Sequence, residues 1–313
     1  MGLHFLEKGI LIRKPFEASW DMVENDWLKA HFEPSNHFYL AYLASPIGGA
    51  IYLHALLKSL EHNDQGIDLC VPDLNWFFQF IEKQKRAGKS VLEWDLGIQA
   101  IEIYFEDHFH SVPIEKRGKK LRLLCPGKLS QNDFRALLSL SGNWVGVRGN
   151  QSFSEVSSQG KTFFYDGKEH SRYFLKDLHA MAENRIGDYP GALECVRGMA
   201  NGFMYNLSVQ EEDWVDETFF QTIEEWTVIA LNIGLSLQEP KTYEGFRRLS
   251  QIIIQERSAN HYLCHLVQRA LAHCKYPELE KHESENLGKF ISGSMTFEKF
   301  ILTQKKVLED TFS

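Results

Sequence analysis

Basic clusters, long apolar runs and paired cysteines are what this 313-residue chain is short of. Lys and Arg number 34 against 42 Asp and Glu, a formal net charge of −8. The one dense basic stretch, IEKRGKK at 114–120, is short and flanked by turn residues, and it reads as a solvated loop. A nucleic-acid partner needs a contiguous positive face to displace counterions from phosphate, so none is expected. The most apolar run, WTVIALNIGLSL at 226–237, is too short to cross a bilayer, so no membrane span is expected. Cys70, Cys125, Cys195, Cys264 and Cys274 are odd in number, scattered and mostly set in apolar runs. That pattern speaks against a disulfide framework and fits reduced, buried thiols. The opening MGLHFLEKGILIRK has no long apolar core followed by a small-residue cleavage site, so no signal peptide is expected. A cytoplasmic location is the resulting expectation, with export into a host cell as an effector as its variant.

What the chain does have is apolar material: 43% hydrophobic residues and 13% aromatic ones, enough to offset the entropy of ordering a backbone. Residues 1–36 read as an N-terminal arm, with GILIRK as a short strand and ASWDMVENDWLKAHF as an amphipathic segment closed by Pro34. From residue 37 strands and helices alternate. HFYLAYL, IDLCVP, IEIYF, LRLLC, WVGV and TFFYD are short strands, and IYLHALLKSLEHN, LNWFFQFIEKQKRAGKS and SQNDFRALLSLS are helices between them. The Ser130 to Asp133 spacing is a helix-capping signature. Strands apolar on both faces imply a parallel sheet covered on both sides. The expected fold is α/β: a single Rossmann-like, doubly wound parallel sheet over 37–180, followed by an all-helical domain over 181–313.

One seam, VGVRGNQSFSEVSSQGKTFFYD at 145–166, stands out because a strand stops at a glycine, passes through polar residues and starts a helix at Ser152. Two readings compete there. In the first, Ser152 and Glu155 form a capping box, each reaching the other's backbone amide, and serve only the helix. In the second, the seam lies beyond the carboxyl ends of parallel strands, where helix N-termini offer free N–H groups to an anion. Gly149 would then let the backbone approach a diphosphate, with Asn150, Gln151 and Ser152 as donors. Arg148 is balanced between a phosphate contact and a structural ion pair, and Lys161 between a phosphate contact and a solvated turn. His170, just after TFFYD, is either a ligand-facing residue or a surface histidine.

LRLLCPGKLSQNDFRALLSLSGNWVGVRGNQSFSEVSSQGKTFFYD resembles the nucleotide-sugar-binding half of GT-B glycosyltransferases, nearest to the protein-arginine rhamnosyltransferases. In that pattern a Gln-x-Asp-Phe helix leads to a strand, Arg-Gly-Glu-Asp-Ser-Phe, a helix, and Gly-Lys-Pro-Phe. Gln131, Asp133, Phe134, Leu137, Leu138, Val147, Arg148, Gly149, Ser152, Phe153, Gly160, Lys161 and Phe163 match. The resemblance implies that Glu155 accepts the ribose hydroxyls and that Gly149, Asn150, Gln151 and Ser152 face the diphosphate. It also implies that Gly48 and Gly49, in the loop after the first strand, approach the phosphates. The sequence departs from the pattern at Asn150-Gln151, where the family has Glu-Asp, and at Thr162, where it has Pro. The reaction implied is metal-independent, inverting transfer of the sugar to a protein or other acceptor, with no cofactor. No catalytic base is assigned; Asp21 and Glu24 in the arm are guesses. The alternative function is a catalytically inactive relative that binds a partner protein through its helical part.

Elsewhere, His261, Cys264 and His265 share a helical face with His273 and Cys274 further on, but no HExxH or paired CxxC accompanies them, and no metal is expected. Glu106-Asp107-His108-Phe109-His110 reads as a polar loop after a strand. Neither a Gly-x-Ser-x-Gly elbow nor a P-loop is present.

Overall fold

A computed structural model describes residues 12–86, 97–114, 117–167, 172–208 and 217–258, with isolated residues between 285 and 306. The chain divides into two compact units, Met1–Arg257 and Ser258–Ser313. The first is a mixed α/β unit.

After a 3-10 turn at Trp20–Met22 the elements run α1 (Asp26–His31), β1 (His37–Leu40), α2 (Pro46–Ser59), β2 (Ile67–Cys70), α3 (Asn75–Arg86), β3 (Ile98–Tyr104), β4 (Phe109–Pro113) and β5 (Lys119–Leu124). Then come α4 (Gln131–Leu140), β6 (Trp144–Val147), α5 (Gly149–Ser158), β7 (Thr162–Tyr165), α6 (Arg172–Arg185), α7 (Pro190–Ser208), α8 (Glu217–Leu237) and α9 (Pro240–Glu256). Five strands form a sheet in the order β1-β2-β5-β3-β4, and β6 pairs with β7 in a second, two-stranded sheet. All pairs are parallel except β3 with β4. A parallel bridge between Ala41 and Gly146, with the Tyr42 amide donating to Gly146 O at 2.8 Å, joins β1 to β6. The turns after β1 and after β6 therefore lie side by side.

β1 beyond its first residue and the whole of β2, β6 and β7 are buried, as strands apolar on both faces must be. α2 is covered all round, with every residue from Ile47 to Leu57 buried. Ser45 caps it, accepting from the Gly48 amide, and Pro46 supplies the first helical φ. Trp144 stacks on Tyr52 of α2 at 5.8 Å, which fixes the helix against β6. His54 on the same helix donates from Nδ1 to Ala50 O (2.6 Å), and burial pushes its imidazole down to about 3, so it stays neutral.

Three expectations change. Glu106–His110 is not a free loop: Phe109 and His110 begin β4, which closes a hairpin on β3 at the sheet edge. The 114–120 stretch is not wholly solvated either. Lys119 is buried and its ammonium donates to the carbonyls of Leu60 and Asn63 just beyond α2, where the negative end of the helix dipole favours a cation. Near residue 180 the chain changes from strands to helices without leaving the compact unit, since α7 and α8 pack on α2, and α9 on α5 and β7. GILIRK lies partly outside the described residues, and its described part is not a strand.

Candidate functional site

α5 begins three residues earlier than the serine signal suggests. Gly149 is its first residue, at φ +79, a conformation that costs an L side chain about 1–2 kcal/mol. Arg148 is the N-cap, in extended conformation, and no side chain caps the helix. Ser152 lies inside the first turns: its hydroxyl donates to Arg148 O at 2.6 Å and accepts from the Arg148 amide at 3.1 Å. The capping box therefore does not form, and the first turn of α5 is left to the solvent side.

That first turn lines a cleft of about 620 Å³. Arg148, Gly149, Asn150, Gln151 and Ser152 form one wall. Gly127, Lys128, Leu129, Ser130 and Gln131, leading from β5 into α4, form the second, and Pro72 and Asp73, leading from β2 into α3, the third. Tyr42, immediately beyond β1, and Phe134 of α4 supply an aromatic pair, edge to face at 6.2 Å. Every wall is thus a segment that follows the carboxyl end of a parallel strand, and three of them open helices. The N-terminus of α4 is capped by Ser130, which accepts from the Asp133 amide at 2.9 Å, and Asp73 accepts from the Asn75 amide at 3.1 Å at the start of α3. Two residues with cationic side chains, Lys128 and Arg148, are among those that line the space. Among the described residues, neither the Arg148 guanidinium nor the exposed Lys128 ammonium has an ion-pair partner. Gly127, at φ +68, and Gly149 have nothing within 4 Å of where a Cβ would stand, so the backbone is open there.

Glu155 is buried one turn behind the wall and does not line the cleft. Its carboxylate meets Arg13 Nε at 3.0 Å and Arg135 Nε at 3.6 Å. It also accepts from Gln131 Nε2 at 3.2 Å, and Gln131 Oε1 accepts from Gln151 Nε2 at 2.9 Å. The carboxylate reaches the cleft only through these two amides. On its other side it anchors the arm, which is further held by Ser158 Oγ at the Arg13 amide, by Ser139 Oγ at the Ala18 amide, and by Asp133 at the amides of Glu24 and Asn25. Asp21 and Glu24 do not line the cleft; Glu24 accepts from Asn132 Nδ2 at 3.1 Å.

Gly48 and Gly49 are also set apart from it. Both are buried inside α2: a Cβ on Gly49 would stand 2.1 Å from the Trp76 ring, and one on Gly48 2.3 Å from Asp166 Oδ1. Close packing, not a phosphate, requires these glycines. Lys161 likewise points inward, its ammonium donating to the carbonyls of Ser139 (3.0 Å) and Ser141 at the end of α4. Burial pushes that ammonium down to about 8. His170 lies outside the described residues, as do His261, Cys264, His265, His273 and Cys274. Among the described residues no group of three or more His, Cys, Asp or Glu is placed to hold a metal ion. No described helix is long and apolar enough to cross a membrane.

The structure thus brings together Arg148, Gly149, Asn150, Gln151 and Ser152 and adds Tyr42, Asp73, Gly127, Lys128, Gln131 and Phe134. Of the additions, Gln131 and Phe134 were already matching positions of the resemblance, and Pro126-Gly127 was legible as a turn after an apolar strand. Tyr42 carried no signal beyond its strand. No family model and no curated protein matches the chain.

Proposed function

We propose that this cleft binds a nucleoside diphosphate sugar, in a Rossmann-like, doubly wound unit of the GT-B kind. The observation that carries the reading is the convergence on one open space of the first turns of α4 and α5, two cations without ion-pair partners among the described residues, and an aromatic pair. A diphosphate is the anion that suits two neighbouring helix N-termini flanked by Arg148 and Lys128. A nucleobase is the planar group that suits Tyr42 and Phe134. The volume falls within the roughly 300–1,000 Å³ of small-molecule sites.

Transfer of the sugar to an acceptor is the catalytic form of this reading. A base would take the proton from the acceptor hydroxyl or nitrogen, and the helix N-termini with Arg148 would stabilise the departing diphosphate. A binding protein without turnover is the second reading, and one observation favours it. Asn150 and Gln151 stand where the resembled family carries two acids, and Asp73 is the one carboxylate among the described residues of the cleft wall. A partner protein engaged through the helical part belongs to that reading.

Thermal denaturation against a panel of nucleoside diphosphates and their sugars separates these outcomes. A specific ligand raises the Tm by mass action, and the extent of the rise ranks base and sugar. No rise with any nucleotide removes both forms of the reading. A rise without slow release of free sugar from the donor leaves the binding form alone.

A further inference from the structure

Asp166, which follows β7, is wholly buried behind the cleft. Its Oδ2 accepts from the amides of Ala44 (2.7 Å) and Ser45 (2.8 Å), and its Oδ1 accepts from the Ser45 hydroxyl at 2.5 Å. These donors belong to the N-terminal end of α2, the helix that follows β1. Ser45 is that helix's N-cap, and its oxygen also accepts from the Gly48 amide at 2.9 Å. Gly48 has no room for a side chain because the carboxylate fills the space above it. Through its own amide, Asp166 donates to Val147 O at 2.8 Å, the residue just before Arg148. One residue therefore ties down the turn that carries Tyr42 and the turn that carries Arg148.

Burial raises this carboxyl above its ordinary range, the Ser45 hydroxyl and the Ser45 and Ala44 amides oppose that rise, and no described cation forms an ion pair with it; Arg148 acts only at longer electrostatic range. A carboxylate buried in this way is costly unless oriented dipoles replace its water, and here the N-terminus of α2 supplies them. The helix after the first strand of a parallel sheet is also a usual seat for a ligand phosphate.

We propose that Asp166 is a built-in anion that occupies the N-terminus of α2, so that the cleft's ligand seats its phosphates on the first turns of α4 and α5 alone. The second clause rests on the nucleotide reading; the first does not. It follows that removing the carboxylate uncovers an anion site which wild-type protein lacks.

The test uses the full chain and sodium formate at constant ionic strength, with chloride as the control. Asp166→Gly is expected to lose stability and to regain it in formate, its Tm rising by several degrees while wild type and Asp166→Asn do not respond. Where Asp166→Gly does not fold without added anion, return of a cooperative transition in formate is the same result. A response no larger than that of wild type, or failure of formate to restore folding, overturns the proposal. Asp166→Asn keeps an acceptor oxygen in place but not the charge, and it is expected to fold with a lower Tm at pH 7. A Tm equal to that of wild type also overturns it. Should wild-type protein bind no nucleoside diphosphate, the nucleotide reading falls while the formate result stands.

Discussion

Arg148 and Glu155 are one helical span apart and have opposite roles. Arg148 lines the cleft and its guanidinium has no ion-pair partner among the described residues, so Arg148→Ala removes little that holds the fold together. Charge-assisted hydrogen bonds are worth about 1.5–3 kcal/mol, so the variant should bind a nucleoside diphosphate roughly 10- to 100-fold more weakly at an unchanged Tm. Glu155→Ala should do the reverse. It leaves Arg135, only 26% exposed, and Arg13 without their carboxylate, and urea unfolding should show a loss of about 2 kcal/mol. That is below the limit for a fully buried pair because Arg13 is 45% exposed. Lys161 gives a pH signature. Its ammonium sits at about 8 against an ordinary 10.5, so between those values the unfolded chain holds the proton more firmly than the folded one. Stability should therefore rise with pH from about 8 to 10.5, and Lys161→Met should abolish that rise in urea titrations at the two ends of the window. Burial also raises the thiols of Cys70, Cys125 and Cys195, Cys125 to about 12. Peptide mapping after alkylation should find these three labelled only in denaturant.

At the scale of elements, the glycines sort by what surrounds them. Gly49→Ala drives a methyl into Trp76 on the neighbouring α3 and should cost about 1–3 kcal/mol, as overpacking in a closed core does. Gly149→Ala meets no atom and should cost only the roughly 1–2 kcal/mol of its left-handed backbone. Thermal unfolding of the pair in parallel decides whether α2 is held by packing and α5 by turn geometry. These positions also show how far the sequence could be read. The short buried strands β1, β2, β6 and β7 were legible because four-residue, largely apolar runs admit few alternatives, whereas β4, exposed along its length, passed for a polar loop. The start of α5 was not, since Ser152 with Glu155 has the form of a capping box, and only the paths of Arg13 and Arg135 reveal that Glu155 is otherwise engaged. Gly48 and Gly49 were misplaced for a similar reason. A glycine pair after a first strand looks the same whether a phosphate or a tryptophan approaches it, and Trp76 comes from a different βα unit. Contacts of this kind join segments far apart in the chain, and spacing along the sequence carries no trace of them.

At the scale of the molecule, the cleft exists because β1 and β6 meet through Ala41 and Gly146 while the chain between them goes off to build β2, β3, β4 and β5. The turns after β1, β2, β5 and β6 are brought to one end of the strands by that topology, and the alternation of strands and helices made the outline of this arrangement readable. The aromatic half of the site was not readable, because Tyr42 and Phe134 converge only once the sheet is assembled. The most direct measurement of the central claim is calorimetric titration of the whole protein with nucleoside diphosphates and their sugars, wild type beside Arg148→Ala. Saturable, one-to-one heat that weakens at least tenfold in the variant and shrinks with added salt is the result expected of a phosphate seated at α5. Heat that is absent for every nucleotide, or identical in the two proteins, contradicts it.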